Sequence, residues 1–130
     1  MSKDTIDTRQ DAEYDYIINK SMDLHDSRIC EYYTGTTPTS KVFFDFTNYS
    51  GACLTVKPNY RANQVILVFD TLDGSIVLGV SGGTFQLNKT STELSTLPIG
   101  EFQYNMWLRN SVESHRSFLS GKFIIEAVIL

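Results

Sequence analysis

At 130 residues, with 42% hydrophobic and 20% charged positions, the chain is sized for one compact domain and is too short for two ordinary ones. Its net charge of −4 includes no basic stripe, which argues against a phosphate-neutralising nucleic-acid binder and against a polybasic membrane-surface protein. No apolar run reaches the ~18 residues of a membrane span, and the opening MSKDTIDTRQ lacks the apolar centre of a secretory signal, so folding in a cytoplasm is expected.

Residues 1–28 carry seven acids and four bases, a net of −3, against eight acids and seven bases, a net of −1, over 29–130. The composition therefore suggests a polar, acidic N-terminal arm over 1–28 and a folded domain over 29–130. Within the arm, Tyr14, Ile17, Ile18 and Met22 fall at i, i+3, i+4 and i+8, a weak one-sided helical stripe. Two readings stay open: a frayed terminus, or an arm that orders against a neighbouring subunit.

From residue 29 the pattern is strand, turn, strand. Residues 29–33 precede the loop TGTTPTS, and 41–46 alternate, with Val42, Phe44 and Phe46 on one face. Ala52, Leu54 and Val56 share a face up to Lys57-Pro58. Residues 64–70 are apolar on both sides, as expected of a central strand. Asp73-Gly74 signals a hairpin, because that pair tolerates positive φ. Strands follow at 75–80 and 84–88, then one helical turn at Ser91–Leu94. The longest alternation places Phe102, Tyr104, Met106 and Leu108 on one face and Glu101, Gln103, Asn105 and Arg109 on the other. A closing strand runs from about 117 to 129, where Ser120-Gly121 suggests a bulge or bend. Seven or eight short strands with turn signals every ~8–12 residues, and no helix long enough for a parallel crossover, predict an all-β antiparallel sandwich.

Little in this pattern points to chemistry. His25 lies in the polar arm and His115 in a turn beside Glu113, neither with a second metal-type ligand at suitable spacing. Asp70 and Asp73 flank a hairpin, where backbone hydrogen bonding already accounts for Asp. Ser81-Gly82-Gly83-Thr84 lacks the Gly-Lys-Ser/Thr ending of a phosphate loop. Cys30 and Cys53 match no zinc or redox spacing and are expected to be free thiols in a reducing compartment, with a bridge open only if their strands are adjacent. No catalytic residue, metal or cofactor is expected.

Two features invite a contact role. Trp107 points away from the apolar face of its strand, and three readings stay open: core, through a double-faced strand or a bulge; anchor to another subunit; or sugar platform with Tyr49 or Tyr60. The apolar run at 124–130, which includes Val128, Ile129 and Leu130, is expected to be covered or to add to a partner's sheet.

Several stretches resemble a known group. FDFTNYSGACLTVKP, VFDTLDGSIVLGVSGGTFQLN, TSTELSTLPIGEFQYNMWL and FLSGKFIIEAVI, spread over residues 46–128, resemble the small immunoglobulin-like structural proteins of tailed bacteriophages and prophages. They are similar also to the N-terminal immunoglobulin-like domain of phage baseplate upper proteins. The most diagnostic pieces are Leu97-Pro98-Ile99-Gly100-Glu101-Phe102 and Leu119-Ser120-Gly121-Lys122-Phe123. The acidic arm and Arg109-Asn110-Ser111 depart from the pattern. The resemblance implies an immunoglobulin-like β-sandwich located in the virion, without catalysis, whose partners are other virion proteins and copies of itself. Neither nucleic acid, membrane nor a small-molecule ligand is expected. The residues expected to make protein contacts are Tyr14, Ile17, Ile18, Trp107, Val128, Ile129 and Leu130.

Overall fold

The structure, a computed structural model, describes residues 5–7, 12–33, 41–44, 46, 49–79, 83–109 and 115–127. Its strands build two layers. One sheet runs β1 (Thr5–Asp7), β4 (Leu24–Tyr33), β9 (Thr84–Lys89), β8 (Ile76–Leu78), with β5 (Lys41–Phe43) also paired to β4. The other runs β2 (Ala12–Glu13), β11 (His115–Glu126), β10 (Gly100–Arg109), β6 (Gly51–Lys57), β7 (Leu67–Asp70), with β3 (Tyr16–Asn19) also paired to β11. The order β4-β9-β8 against β6-β10-β11 corresponds to the B-E-D and C-F-G sheets of an immunoglobulin-like sandwich. Between β9 and β10 lies the single helical turn α1 (Ser91–Leu94), opened by a capping box in which Thr90 and Glu93 satisfy each other's backbone N–H. Among the described residues no helix is long and apolar enough to cross a membrane.

Alternation decides what is buried. In β10, Tyr104, Met106 and Leu108 are inside; in β6, Leu54 and Val56; in β9, Phe85 and Leu87. Two aromatic clusters lie in the core. Phe44 and Phe46 meet Phe118 at 4.7 and 5.6 Å, and Tyr16 meets Tyr104 and Phe123 at 5.4 and 6.0 Å between ring centroids.

The helical stripe expected over Tyr14, Ile17, Ile18 and Met22 is not there. Tyr16 and Ile18 are buried at 2% and 3% exposure, while Ile17 is 64% exposed, a period of two rather than 3.6. The reason is tertiary: β11 has an edge to be paired, and a Tyr-Ile-Ile segment with branched side chains suits a strand better than a helix. The arm boundary at residue 28 is corrected for the same reason, since β3 belongs to one sheet and β4 begins at Leu24 in the other. A truncation at 28 would remove Tyr16 and Ile18 from the core.

Of the bulge or bend expected at Ser120-Gly121, the closing strand has a bulge, placed just before that pair. The register of β10 against β11 shifts between Met106 and Trp107, where Leu119 and Ser117 are the successive partners, so Phe118 is the extra residue of a bulge. The bulge buries both Phe118 and Leu119. Gly121 has another task. A Cβ there would collide with the Tyr14 carbonyl oxygen and lie 2.9 Å from Asp15 Oδ1, so only glycine lets the N-terminal segment run this close alongside β11 between β2 and β3.

Candidate contact face

The outer face of the second sheet is built by the side chains that alternation turns away from the core. On β10 these are Glu101, Gln103, Asn105, Trp107 and Arg109. Trp107 stands opposite Cys53 of β6 and Ser117 of β11, and Cys53 stands opposite Asp70 of β7. Trp107 is 39% exposed, so the core reading is overturned: the bulge lies on β11 and leaves the alternation of β10 intact.

Beside Trp107 the charges are matched. Arg109 forks onto Asp70, Nη1 to Oδ1 at 2.9 Å and Nη2 to Oδ2 at 2.6 Å. Gly51, opposite Arg109, makes room: a Cβ there would collide with Thr71 Oγ1 and sit 3.4 Å from Arg109 Nη1. The Arg109 fork holds the Asp70 carboxyl down at about 2, with the Leu72 N–H adding to it. Burial pushes the Cys53 thiol up, and the neighbouring Asp70 charge pushes it further. Cys30 is fully buried on β4, and burial raises its thiol well out of reach of neutral pH. Both cysteines are free, on different sheets, and no bridge joins them.

The sugar-platform partners divide. Tyr60 is 49% exposed, its N–H donating to Gln103 Oε1 at 2.9 Å and its hydroxyl reaching the Gly121 carbonyl at 3.5 Å. Tyr49 is instead half-buried against the core, its ring stacked on Phe44 at 5.9 Å.

The N-terminal segment docks on the opposite border of this sheet. The Tyr14 N–H donates to the Ser120 carbonyl and the Lys20 N–H to the Glu126 carbonyl, both at 2.9 Å, and the Tyr104 hydroxyl donates to the Tyr14 carbonyl. Arg28, paired with Asp26 at 2.8 Å, lays its guanidinium 4.9 Å from the Tyr14 ring centre and 5.7 Å from that of Tyr16, joining the two sheets at this side. Of the residues expected to make contacts, Ile17 and Trp107 are exposed, Tyr14 is half-buried, and Ile18 is in the core because its side chain faces the other sheet. Val128, Ile129 and Leu130 lie outside the described residues. The sequence pattern did not single out Arg28, Gly51 or the Arg109–Asp70 fork. The readable signal was the glycine within a strand, and at residue 121 that signal suggests a bulge or bend rather than a close approach.

A cleft of about 650 Å³ opens between the β3–β4 turn, the hairpin at Asp73-Gly74 and α1. Its carboxylates hold backbone: Asp23 Oδ1 accepts from the Ser91 N–H at 2.6 Å, Asp73 Oδ1 from the Ser75 N–H at 2.9 Å, and Glu93 Oε1 from the Thr90 N–H at 3.2 Å. His25 on its rim has Gln86 Nε2 at 3.2 Å from its Nε2. The His115 side chain lies outside the described residues. Among the described residues no group of three or more His, Cys, Asp or Glu could hold a metal ion.

No protein-family model and no curated protein matches the chain. Among solved structures, the X-ray structure of an endo-β-1,4-mannanase from Thermotoga petrophila aligns with 98% of this chain and 21% of its own, at 14% identity and a TM-score of 0.45. The chain thus spans about a fifth of that enzyme's length, and a likeness this low bears on neither site nor activity.

Proposed function

We propose that the chain is a structural component of a tailed-phage virion that works through subunit contacts and catalyses nothing. The observation that carries the contact role is Trp107. A large aromatic side chain is held 39% exposed on an open sheet face, beside a charged pair, Arg109–Asp70, that is already joined. Trp is the residue type most enriched where contacts concentrate binding energy, and a charged pair already joined beside it costs less to desolvate than two separate charges. The virion setting comes from the resemblance of residues 46–128 to phage immunoglobulin-like proteins. Mass spectrometry of purified particles, with a Trp107→Ala chain supplied in place of the parent, tests the proposal. The parent chain is expected in the particle at fixed stoichiometry and the variant at severalfold lower occupancy. Absence of the parent chain from particles would refute the virion role.

One observation favours a second reading, a carbohydrate- or receptor-binding module displayed on the particle. Trp107 is exposed on the face that also carries the amides of Gln103 and Asn105, Tyr60 is exposed with its N–H on Gln103, and aromatic rings together with amides suit an uncharged sugar. A glycan array binding the parent chain and not Trp107→Ala would favour this reading; an array without hits would remove it.

A further inference from the structure

β3 lies at the border of the second sheet, alongside β11. The ladder sets Tyr16 to Asn19 beside Phe123 to Glu126, and the Lys20 N–H donates to the Glu126 carbonyl, so strand alternation turns the backbone groups of Ile17 the other way. Among the described residues β3 pairs with β11 alone, and no strand lies on its outer side. Ile17, 64% exposed, stands in register beside the half-buried Ile124 on the outer face of the sheet.

The geometry points to an antiparallel β3–β3 contact between two copies, with the two-fold axis at Ile17. Three features select this occupant. An axis at Ile17 lets the outward N–H and C=O of that residue bond to the same groups of the second copy, as a self-complementary contact requires. It lines up Ile124, Ile17, and the Ile17 and Ile124 of the second copy as one apolar row across a continuous sheet. It also matches charge. The exposed Glu13 and Asp15 lie at one end of the segment and Lys20 at the other, and the Lys20 amine touches the Ser95 and Leu97 carbonyls but no carboxylate among the described residues. Antiparallel pairing sets Lys20 of each copy opposite Tyr14 of the other, within side-chain reach of Glu13 and Asp15; parallel pairing would set acid against acid. A strand of four residues makes a weak contact alone, which many copies in one assembly would reinforce.

This inference adds a self-contact at β3 to the proposed contact role and rests on that role. Its test is sedimentation equilibrium of the purified full chain from about 5 to about 500 μM, a range that brackets weak transient contacts. Alongside run Ile17→Pro, which removes an N–H that β11 does not use, and Ile17→Lys, which sets like charges at the axis. The expected result is a concentration-dependent dimer for the parent chain, at least tenfold weaker in both variants, with melting temperatures unchanged. A parent chain monomeric throughout the range, or a lysine variant that dimerises as the parent does, would overturn the β3 contact. Neither result touches the virion role, which stands or falls on the presence of the chain in purified particles.

Discussion

Replacing Gly121 by alanine should undock the N-terminal segment while leaving the rest of the sandwich in place. The new Cβ meets the Tyr14 carbonyl oxygen and carbon, the latter at 2.9 Å, and these are backbone atoms that no side-chain rotation can move aside. The segment must lift by about an ångström or peel off. Peeling breaks the Tyr14 N–H to Ser120 and Lys122 N–H to Asp15 Oδ1 bonds, each 2.9 Å long, and the Tyr104 hydroxyl bond to Tyr14. Each net bond is worth about 1 kcal/mol. Full exposure of Tyr16 and Ile18 would cost about 1.5–3 kcal/mol per side chain. Partial relaxation keeps some of this, so a loss of about 2–4 kcal/mol is expected, a melting-point drop of about 8–15 °C for a domain of this size. Hydrogen exchange followed residue by residue is the sharper assay. The amides of Tyr14 and Lys20, both protected by β11, should exchange at least tenfold faster in Gly121→Ala, while those of β6 and β10 keep their order of protection. A variant that melts like the parent, with Tyr14 and Lys20 equally protected, would refute the close-approach argument.

Two further outcomes follow from the outer face. The folded Asp70 carboxyl sits at about 2 against an ordinary 3.8, so its stabilisation is complete above pH 4 and is lost as pH falls toward 2. Asp70→Asn should therefore lower stability at neutral pH and flatten this part of the acid limb; a parent-like acid limb in the variant would count against the Arg109 fork. With a thiol reagent under native conditions, the half-buried Cys53 should react slowly and the fully buried Cys30 only on unfolding. Equal rates for the two thiols would contradict the placement of Cys30 in the core.

The parts legible in the sequence were those whose pattern is local. The alternation from Phe102 to Leu108 marks the inner face of β10 residue by residue, and by the same count it turns Trp107 outward. Asp73-Gly74 marks the hairpin, where Gly74 takes a φ of 80°, and Ser91–Leu94 forms the single helical turn expected of it. The exposure of Trp107 was not legible, because it depends on whether another layer covers that sheet. Nor was β3. Its partner β11 lies about a hundred residues away, and a short Tyr-Ile-Ile segment fits a helical stripe or a strand until the free edge of β11 decides. The Arg109–Asp70 fork was hidden for the same reason, since it needs β6 between β10 and β7 and a glycine at residue 51 to let the guanidinium across.

The contact role is tested most directly by an electron cryomicroscopy map of the assembled particle in which this chain is located. The account predicts Trp107 enclosed at a boundary between subunits, its ring in contact with a neighbouring chain. A map in which that face looks onto solvent in every copy, or a particle without the chain, would contradict it.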